Sequence, residues 1–223
     1  DEGFKCAFCI SGVVLEHLEE WYPDMLELLA RAATHENAEV LAQTYYHSVA
    51  GLFTDPQEFV DELLMHRDLM KEQFAVVPTT FVHTDYAITP ATAEALIESG
   101  IRAAIIEGAA TERDPNHTYT YHNLPVLVTH CDLADDIAVR FPRREWDRWP
   151  LMADRYAEWM SVSPGECVTL FLDYRIFGDI FGQETGILEF LRALPSALAG
   201  VGIEAVHPSD TARIPPHDDI SEI

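Results

Sequence analysis

Positive charge is scarce in this chain of 223 residues, which sets 14 Lys and Arg side chains against 38 Asp and Glu side chains, a net charge of −24. Lysine is the rarer cation, because only Lys5 and Lys71 stand beside twelve arginines. Surfaces that bind nucleic acid need clustered Lys and Arg to neutralise phosphates. The composition therefore predicts a protein with no nucleic-acid partner.

Long hydrophobic runs and a cysteine framework are also lacking. No apolar run reaches the ~18 residues that a membrane span needs, so we expect no membrane partner. Four cysteines in a chain of this length do not form a disulfide scaffold. Cys6 and Cys9 have C-x-x-C spacing, but no second pair completes a tetrahedral zinc site.

The acidic residues are spread along the whole chain rather than gathered in a tail. Like charges spread over a folded surface repel one another and destabilise the fold. Salt reduces this repulsion, because the Debye length falls to ~3 Å at 1 M. We therefore expect a halophilic, acidic protein of a salt-rich cytoplasm.

Short β-branched and aromatic runs alternate with helical patterns along a chain that is 48% hydrophobic. This alternation predicts an α/β fold with a parallel sheet, and six or seven such units suit a barrel better than an open sheet. The predicted strands are residues 5–10, 39–45, 79–83, 103–106, 125–129 and 168–172.

Helix signals separate these runs. Asp55-Pro56 and Thr89-Pro90 each place a capping residue before a proline, and Gly100 suits a left-handed helix stop. Further helices are predicted over 13–33, with a break at Pro23, and over 151–162 and 186–199. No linker divides the chain, so we expect one barrel domain over 1–207 and a proline- and acid-containing extension over 208–223.

Polar residues follow the predicted strands, at the ends where barrels of this connectivity carry their sites. Carboxylates, imidazoles and phenols on one rim suit sugar chemistry, because carboxylates supply acid, base and nucleophile while aromatic rings stack on sugars. Taken alone, Asp132 is expected to cap the next helix. The rim residues are 44–48, 83–86, Glu107, 130–132 and 173–175.

Several stretches resemble glycoside hydrolase family 57, in its α-amylase branch. They are Phe8-Cys-Ile-Ser-Gly12, Glu39-Val-Leu-Ala-Gln-Thr-Tyr-Tyr-His-Ser48, Phe81-Val-His-Thr-Asp85, residues 133–141 and Leu172-Asp-Tyr-Arg-Ile-Phe-Gly178. The resemblance implies an incomplete (β/α)₇ barrel, here without its first strand, and a retaining enzyme acting on α-glucan or maltooligosaccharide. It implies no cofactor and no metal.

The resemblance also implies roles for individual residues. The nucleophile position of the family falls on Asp85 and the general acid on Asp173, the two carboxyl groups standing ~5–5.5 Å apart in retaining enzymes. Tyr46 and His47 match the second motif, where they would line a sugar subsite. His83 and Phe177 are assigned to substrate binding with them.

This sequence departs from the family pattern in three respects: at the nucleophile position, in the motif around the general acid, and at its beginning. Asp85 stands where the family has the longer glutamate, and Ile180 stands in place of a histidine. Arg175 replaces an acid two residues after Asp173, and a guanidinium there is expected to lower the pKa of Asp173. The opening histidine motif of the family is absent.

Three interpretations therefore stay open. The chain is an active glycosidase, a catalytically silent glucan-binding paralogue, or a metal-dependent deacetylase-like hydrolase using His47, His83, Asp85 and His130. With the first strand missing, we also expect an unpaired barrel edge beside residues 5–10 that favours self-association.

Overall fold

A two-stranded and a five-stranded sheet form the framework of the protein, whose computed structural model describes residues 4–84 and 88–220. β1 pairs with β2 in parallel, and the larger sheet has the order β3-β4-β6-β5-β7. The strands are β1 (Cys6–Phe8), β2 (Ala38–Val40), β3 (Thr80–Val82), β4 (Ala103–Ile106), β5 (Thr118–Tyr121), β6 (Leu124–Val128) and β7 (Asp218–Ile220).

Two isolated bridges join these strands into one parallel series. Ala42 bridges to Phe81 and so connects the two sheets, and its N–H donates to the Thr80 carbonyl at 2.8 Å. Thr129 bridges to Thr169, which adds a further parallel neighbour beyond β6. The series β1, β2, β3, β4, β6 and the Thr169 segment is part of an α/β barrel, as the alternating sequence pattern predicted.

Helices connect the parallel strands. The signals at Thr89 and Gly100 act as expected, whereas the helix after Asp55-Pro56 begins at Gln57, with Pro56 and not Asp55 at its N-cap. The Thr89 hydroxyl accepts from the Thr92 N–H at 3.1 Å, and Gly100 has a φ of 81°. The helices are α1 (Gly12–Trp21), α2 (Pro23–Ala33), α3 (Gln57–Phe74), α4 (Pro90–Glu98), α5 (Gly108–Thr111), α6 (Cys131–Asp135), α7 (Ala153–Val162), α8 (Ile187–Gly200) and α9 (Pro208–Thr211), with a π-helical turn over Asp136–Arg140.

The sheet contains two strands that the sequence did not predict, β5 and β7. β5 forms a hairpin with β6 through His122 and Asn123, which have φ values of 49° and 66°. Positive φ at both central residues matches the twist of a two-residue hairpin. Because β5 occupies the edge of β6 along this hairpin, residues 168–172 pair only at Thr169, and the predicted strand there is wrong in extent.

The C-terminal residues 208–220 lie against the rest of the chain. β7 pairs in parallel with β5, and the Ser209 N–H donates to Glu39 Oε2 at 3.0 Å. The extension predicted over 208–223 is therefore in contact with β5 and β2. The boundary at residue 207 stays a prediction.

Two apolar clusters position the site. One lies between the larger sheet and α3 and α4, with Phe59, Leu63 and Phe81 fully buried. The other lies around α7 and α8, with Tyr156 and Ile187 fully buried. Among the described helices, none combines the length and the apolar character that crossing a bilayer requires.

Candidate functional site

The carboxyl ends of the parallel segments carry the predicted rim residues. Because these segments are parallel neighbours, the residues that follow them share one edge of the partial barrel. Asp85, the predicted nucleophile, lies outside the described residues. The others are Tyr46 and His47 after β2, His83 after β3, Glu107 after β4, His130 after β6 and Asp173 after the Thr169 segment.

A buried carboxylate shapes the loop that follows β2. Glu62 on α3 is 3% exposed and accepts the Tyr46 N–H at 3.0 Å and the Ser48 hydroxyl at 2.6 Å. Between these two anchors His47 has a left-handed φ of 56°, and its Nδ1 hydrogen-bonds to Gln43 Oε1 at 3.2 Å. Tyr46 and His47 are thereby held at the surface, where a sugar could contact them.

His83 is a buried residue rather than an exposed one. Its ring stacks on Phe59 at a centroid distance of 6.0 Å and lies 5.8 Å from the ring of Phe81. Its Nδ1 donates to the carbonyl oxygen of Thr84. A Cβ built on Gly51 would stand 2.4 Å from His83 Nε2, so a glycine is required at this close approach.

A cavity of 590 Å³ lies beside the loop after β2. Its lining includes Ser48, Phe53, Glu58 and Glu62, which belong to the loop and to the start of α3. This volume falls within the range of about 300–1,000 Å³ that is usual for small-molecule sites. The cavity therefore lies at the same part of the rim as the exposed side chains of Tyr46 and His47.

Asp173 is held by its neighbour Arg175. The guanidinium donates twice to Asp173 Oδ2, at 2.9 and 2.6 Å, and the Arg175 N–H donates to Oδ1 at 2.9 Å. The Arg175 side chain is the main cause that holds the pKa of Asp173 below its ordinary value, and the backbone bond adds to it. The expectation that Arg175 favours the ionised carboxylate is confirmed.

Phe177 has a packing role in the structure. Its side chain is half-buried against the apolar cluster of α7 and α8, and the residue bridges to Phe181. The side chain of Tyr174, in the same turn, is 67% exposed. The neighbouring tyrosine thus offers more aromatic surface to a ligand than the phenylalanine that the sequence singled out.

The ends of β4 and β6 meet through a thiol. Cys131 Sγ donates to Glu107 Oε1 at 2.8 Å, and burial raises the pKa of the Cys131 thiol. His130, whose Nδ1 accepts the Leu133 N–H at 3.4 Å, caps the following helix. The prediction that Asp132 is the cap was wrong, because Asp132 lies inside the first turn.

The histidines considered as metal ligands do not converge. Within residues 4–84 and 88–220, His47, His83 and His130 form no group of three with ligand atoms close enough for one ion. His117, Glu166 and His217 do form such a group.

Sequence reasoning missed Glu62 and Gly51, which position the loop and His83. Glu62 falls on the stripe of α3 formed by Phe59, Leu63, His66 and Met70, all of them buried. An acid at this helical spacing among apolar residues indicates a buried carboxylate with specific partners. That signal was present in the sequence.

The model of glycosyl hydrolase family 57 matches residues 1–221. A protein of Methanocaldococcus jannaschii that carries the assignment alpha-amylase is 35% identical over 97% of this chain and 48% of its own length. The chain therefore spans about half the length of this curated relative.

Solved structures share the fold at low sequence identity. A 4-alpha-glucanotransferase from Thermococcus litoralis has a TM-score of 0.80 and 17% identity, covering 100% of this chain and 36% of its own. An exo-type maltose-forming amylase from Pyrococcus sp. ST04 has a TM-score of 0.71 and 13% identity, covering 94% and 36%. These likenesses confirm the partial (β/α)₇ barrel.

Proposed function

Because the chain belongs to glycosyl hydrolase family 57, we propose that it takes an α-glucan or a maltooligosaccharide at the carboxyl rim of its partial barrel. The exposed ring of Tyr46, the neighbouring His47 and the 590 Å³ cavity beside them support this subsite. Aromatic faces stack on pyranose rings, while imidazole and carboxylate groups bond to sugar hydroxyls. His83 acts from beneath, as a buried support of the third strand end.

The family mechanism uses two carboxylates, which the resemblance assigns to Asp85 and Asp173. One carboxylate attacks the anomeric carbon, and the other, as the acid, protonates the leaving oxygen. A general acid must hold a proton at the working pH. The three hydrogen bonds from Arg175 stabilise the ionised form of Asp173, so this residue is a poor proton donor as it stands.

The Arg175–Asp173 contact is the observation that carries the proposal. It favours a glucan-binding protein with little or no hydrolytic activity over an active glycosidase. The second candidate, hydrolysis by the two-carboxylate mechanism, is favoured by the 35% identity to a relative assigned as an alpha-amylase. The deacetylase-like alternative is not proposed, because its three described histidines do not converge.

Binding of maltooligosaccharides in about 1 M KCl, where the acidic surface is screened, tests the proposal. We expect the wild-type protein to bind and Tyr46→Ala to weaken binding by about ten-fold or more, since burial of a large apolar side chain is worth about 1.5–3 kcal/mol. Tyr22→Ala is the matched control, because Tyr22 is 63% exposed and lies outside the rim. Equal loss in both variants would contradict a subsite at Tyr46.

Release of reducing sugar from maltooligosaccharides separates the two candidates. We expect little release from the wild-type chain and none gained by Asp85→Glu, because Arg175 still holds Asp173 and Ile180 still replaces the histidine. Combining Asp85→Glu with Arg175→Glu and Ile180→His restores all three family residues together. The combination is needed because the effects of catalytic groups on rate are not additive when the groups act as a unit. Activity in Asp85→Glu alone that disappears on adding Asp173→Asn would establish the glycosidase instead.

A further inference from the structure

Three ligand-type side chains from separate segments meet at the end of the sheet where β6 finishes, since Thr118, which follows His117, pairs with Leu127. His117 precedes β5, Glu166 lies in the loop after α7, and His217 precedes β7. One ligand atom from each lies within 4.8 Å of the others. The two imidazole rings stack at a centroid distance of 4.3 Å, and Glu166 Oε2 is 2.5 Å from His117 Nδ1.

Backbone contacts, and not only side-chain rotamers, bring these segments together. The His217 N–H donates to the Thr118 carbonyl at 2.8 Å, and the Glu166 N–H donates to the Asn116 carbonyl at 2.9 Å. A Cβ on Gly165, whose φ is 137°, would stand 2.2 Å from that same Asn116 oxygen. A glycine therefore lets the loop approach β5 closely enough to present Glu166.

A fourth residue stands behind the first histidine. Asp114 Oδ2 is 3.9 Å from His117 Nε2, on the side of the ring opposite to Glu166. Asp114 is itself oriented by the backbone N–H and the side-chain amide of Asn116, at 3.0 and 2.8 Å. At 3.9 Å this carboxylate is too far from Nε2 for a hydrogen bond, so it adds negative charge beside the ring without fixing its tautomer.

We propose that His117, His217 and Glu166 bind one divalent transition-metal ion, with Zn²⁺ the best match. Two imidazole nitrogens and one carboxylate oxygen, with a position left for water, suit Zn²⁺, whereas Ca²⁺ and Mg²⁺ prefer all-oxygen sites. The ion would fasten the segment before β7 to β5 and to the loop at Glu166. None of its three ligands is among the residues assigned to the glucan site above.

Zinc titration of the full chain tests this site. The protein is stripped with a chelator and titrated with ZnCl₂ in about 1 M KCl, because salt at this strength screens loose attraction of cations to the acidic surface but not inner-sphere bonds. We expect one bound ion per chain and a rise in the melting temperature that equal MgCl₂ does not give.

Four variants assign the ligands. His117→Gln, His217→Gln and the surface variant Glu166→Gln should each weaken Zn²⁺ binding by about ten-fold or more and reduce the thermal shift. His17→Gln is the control, because His17 is exposed on α1 and contacts the ring of Trp21. Circular dichroism checks that each variant is folded, and Glu166→Gln keeps the test valid if a histidine variant unfolds.

The exposed thiol of Cys6 is the main competing ligand. Cys6→Ser should leave Zn²⁺ binding unchanged, and Co²⁺ bound at the proposed site should lack the thiolate charge-transfer absorption. Wild-type protein that takes up no Zn²⁺, or Zn²⁺ binding that survives both histidine substitutions and Glu166→Gln, would overturn the proposal.

Discussion

Replacing Glu62 by glutamine should loosen the loop that carries Tyr46 and His47. The carboxylate accepts two hydrogen bonds, from the Tyr46 N–H and the Ser48 hydroxyl, in a side chain that is 3% exposed. Hydrogen bonds to a charged acceptor contribute about 1.5–3 kcal/mol each, and neutral ones about 1 kcal/mol. Glu62→Gln keeps both partners within reach but removes the charge, so we expect a loss of about 1–4 kcal/mol in the free energy of unfolding.

Asp61→Asn is the matched control for this substitution. Asp61 is the preceding residue of α3, is exposed, and accepts from Gln57 Nε2 at 2.8 Å. Asp61→Asn removes the same unit of negative charge from the protein. We expect it to change the free energy of unfolding by no more than about 0.5 kcal/mol.

Urea unfolding in about 1 M KCl, followed by circular dichroism, measures both variants, and maltooligosaccharide affinity is measured alongside. Glu62→Gln should lose both stability and affinity, whereas Asp61→Asn should lose neither. A Glu62→Gln protein as stable as Asp61→Asn would refute the anchoring role of the buried carboxylate.

Four further outcomes are expected. Arg175→Gln should raise the pKa of Asp173 towards its ordinary 3.8, followed by NMR of the side-chain carboxyl, and an unchanged pKa would contradict the role of the guanidinium. Burial lowers the pKa of His66 below its ordinary 6.5, so the unfolded chain binds a proton that the folded chain does not, and stability falls as pH drops below about 6.5. His66→Gln keeps a donor for the Ile10 carbonyl and should flatten this fall between about pH 6.5 and 5.5, whereas equal slopes would disprove it. The melting temperature should rise from dilute buffer to molar KCl, because screening relieves the repulsion of 38 acidic side chains, and equal values would contradict the salt adaptation. The chain should self-associate through β1, for which the described residues supply one strand neighbour, β2, and light scattering showing a monomer at all concentrations would exclude this.

Features that depend on near neighbours in the chain could be predicted from the sequence. Thr89 and Gly100 mark the limits of α4 because a cap and a left-handed stop act within one turn. The contact between Arg175 and Asp173 was predictable for the same reason. The two residues are two positions apart, and a tight turn brings the guanidinium to the carboxylate. The family motifs then gave the order of the parallel strands.

Features that depend on distant pairing escaped prediction. β7 has three residues, and its partner β5 lies about a hundred positions earlier, so no local pattern specifies the pair. Glu166 likewise meets His117 across 49 positions, through a loop with no regular structure. Asp85 carries a role by resemblance, and its part in the site stays a prediction.

The pairing of β5 with β7 also governs the order in which the protein can fold as it is made. The Thr120 hydroxyl donates to Asp219, 99 residues further along, and β7 covers that edge of β5. At ~5–20 residues per second, synthesis of that interval takes roughly 5–20 s. During this time β5 has β6 on one side and an uncovered edge on the other, and the synthesis of β7 ends this exposure.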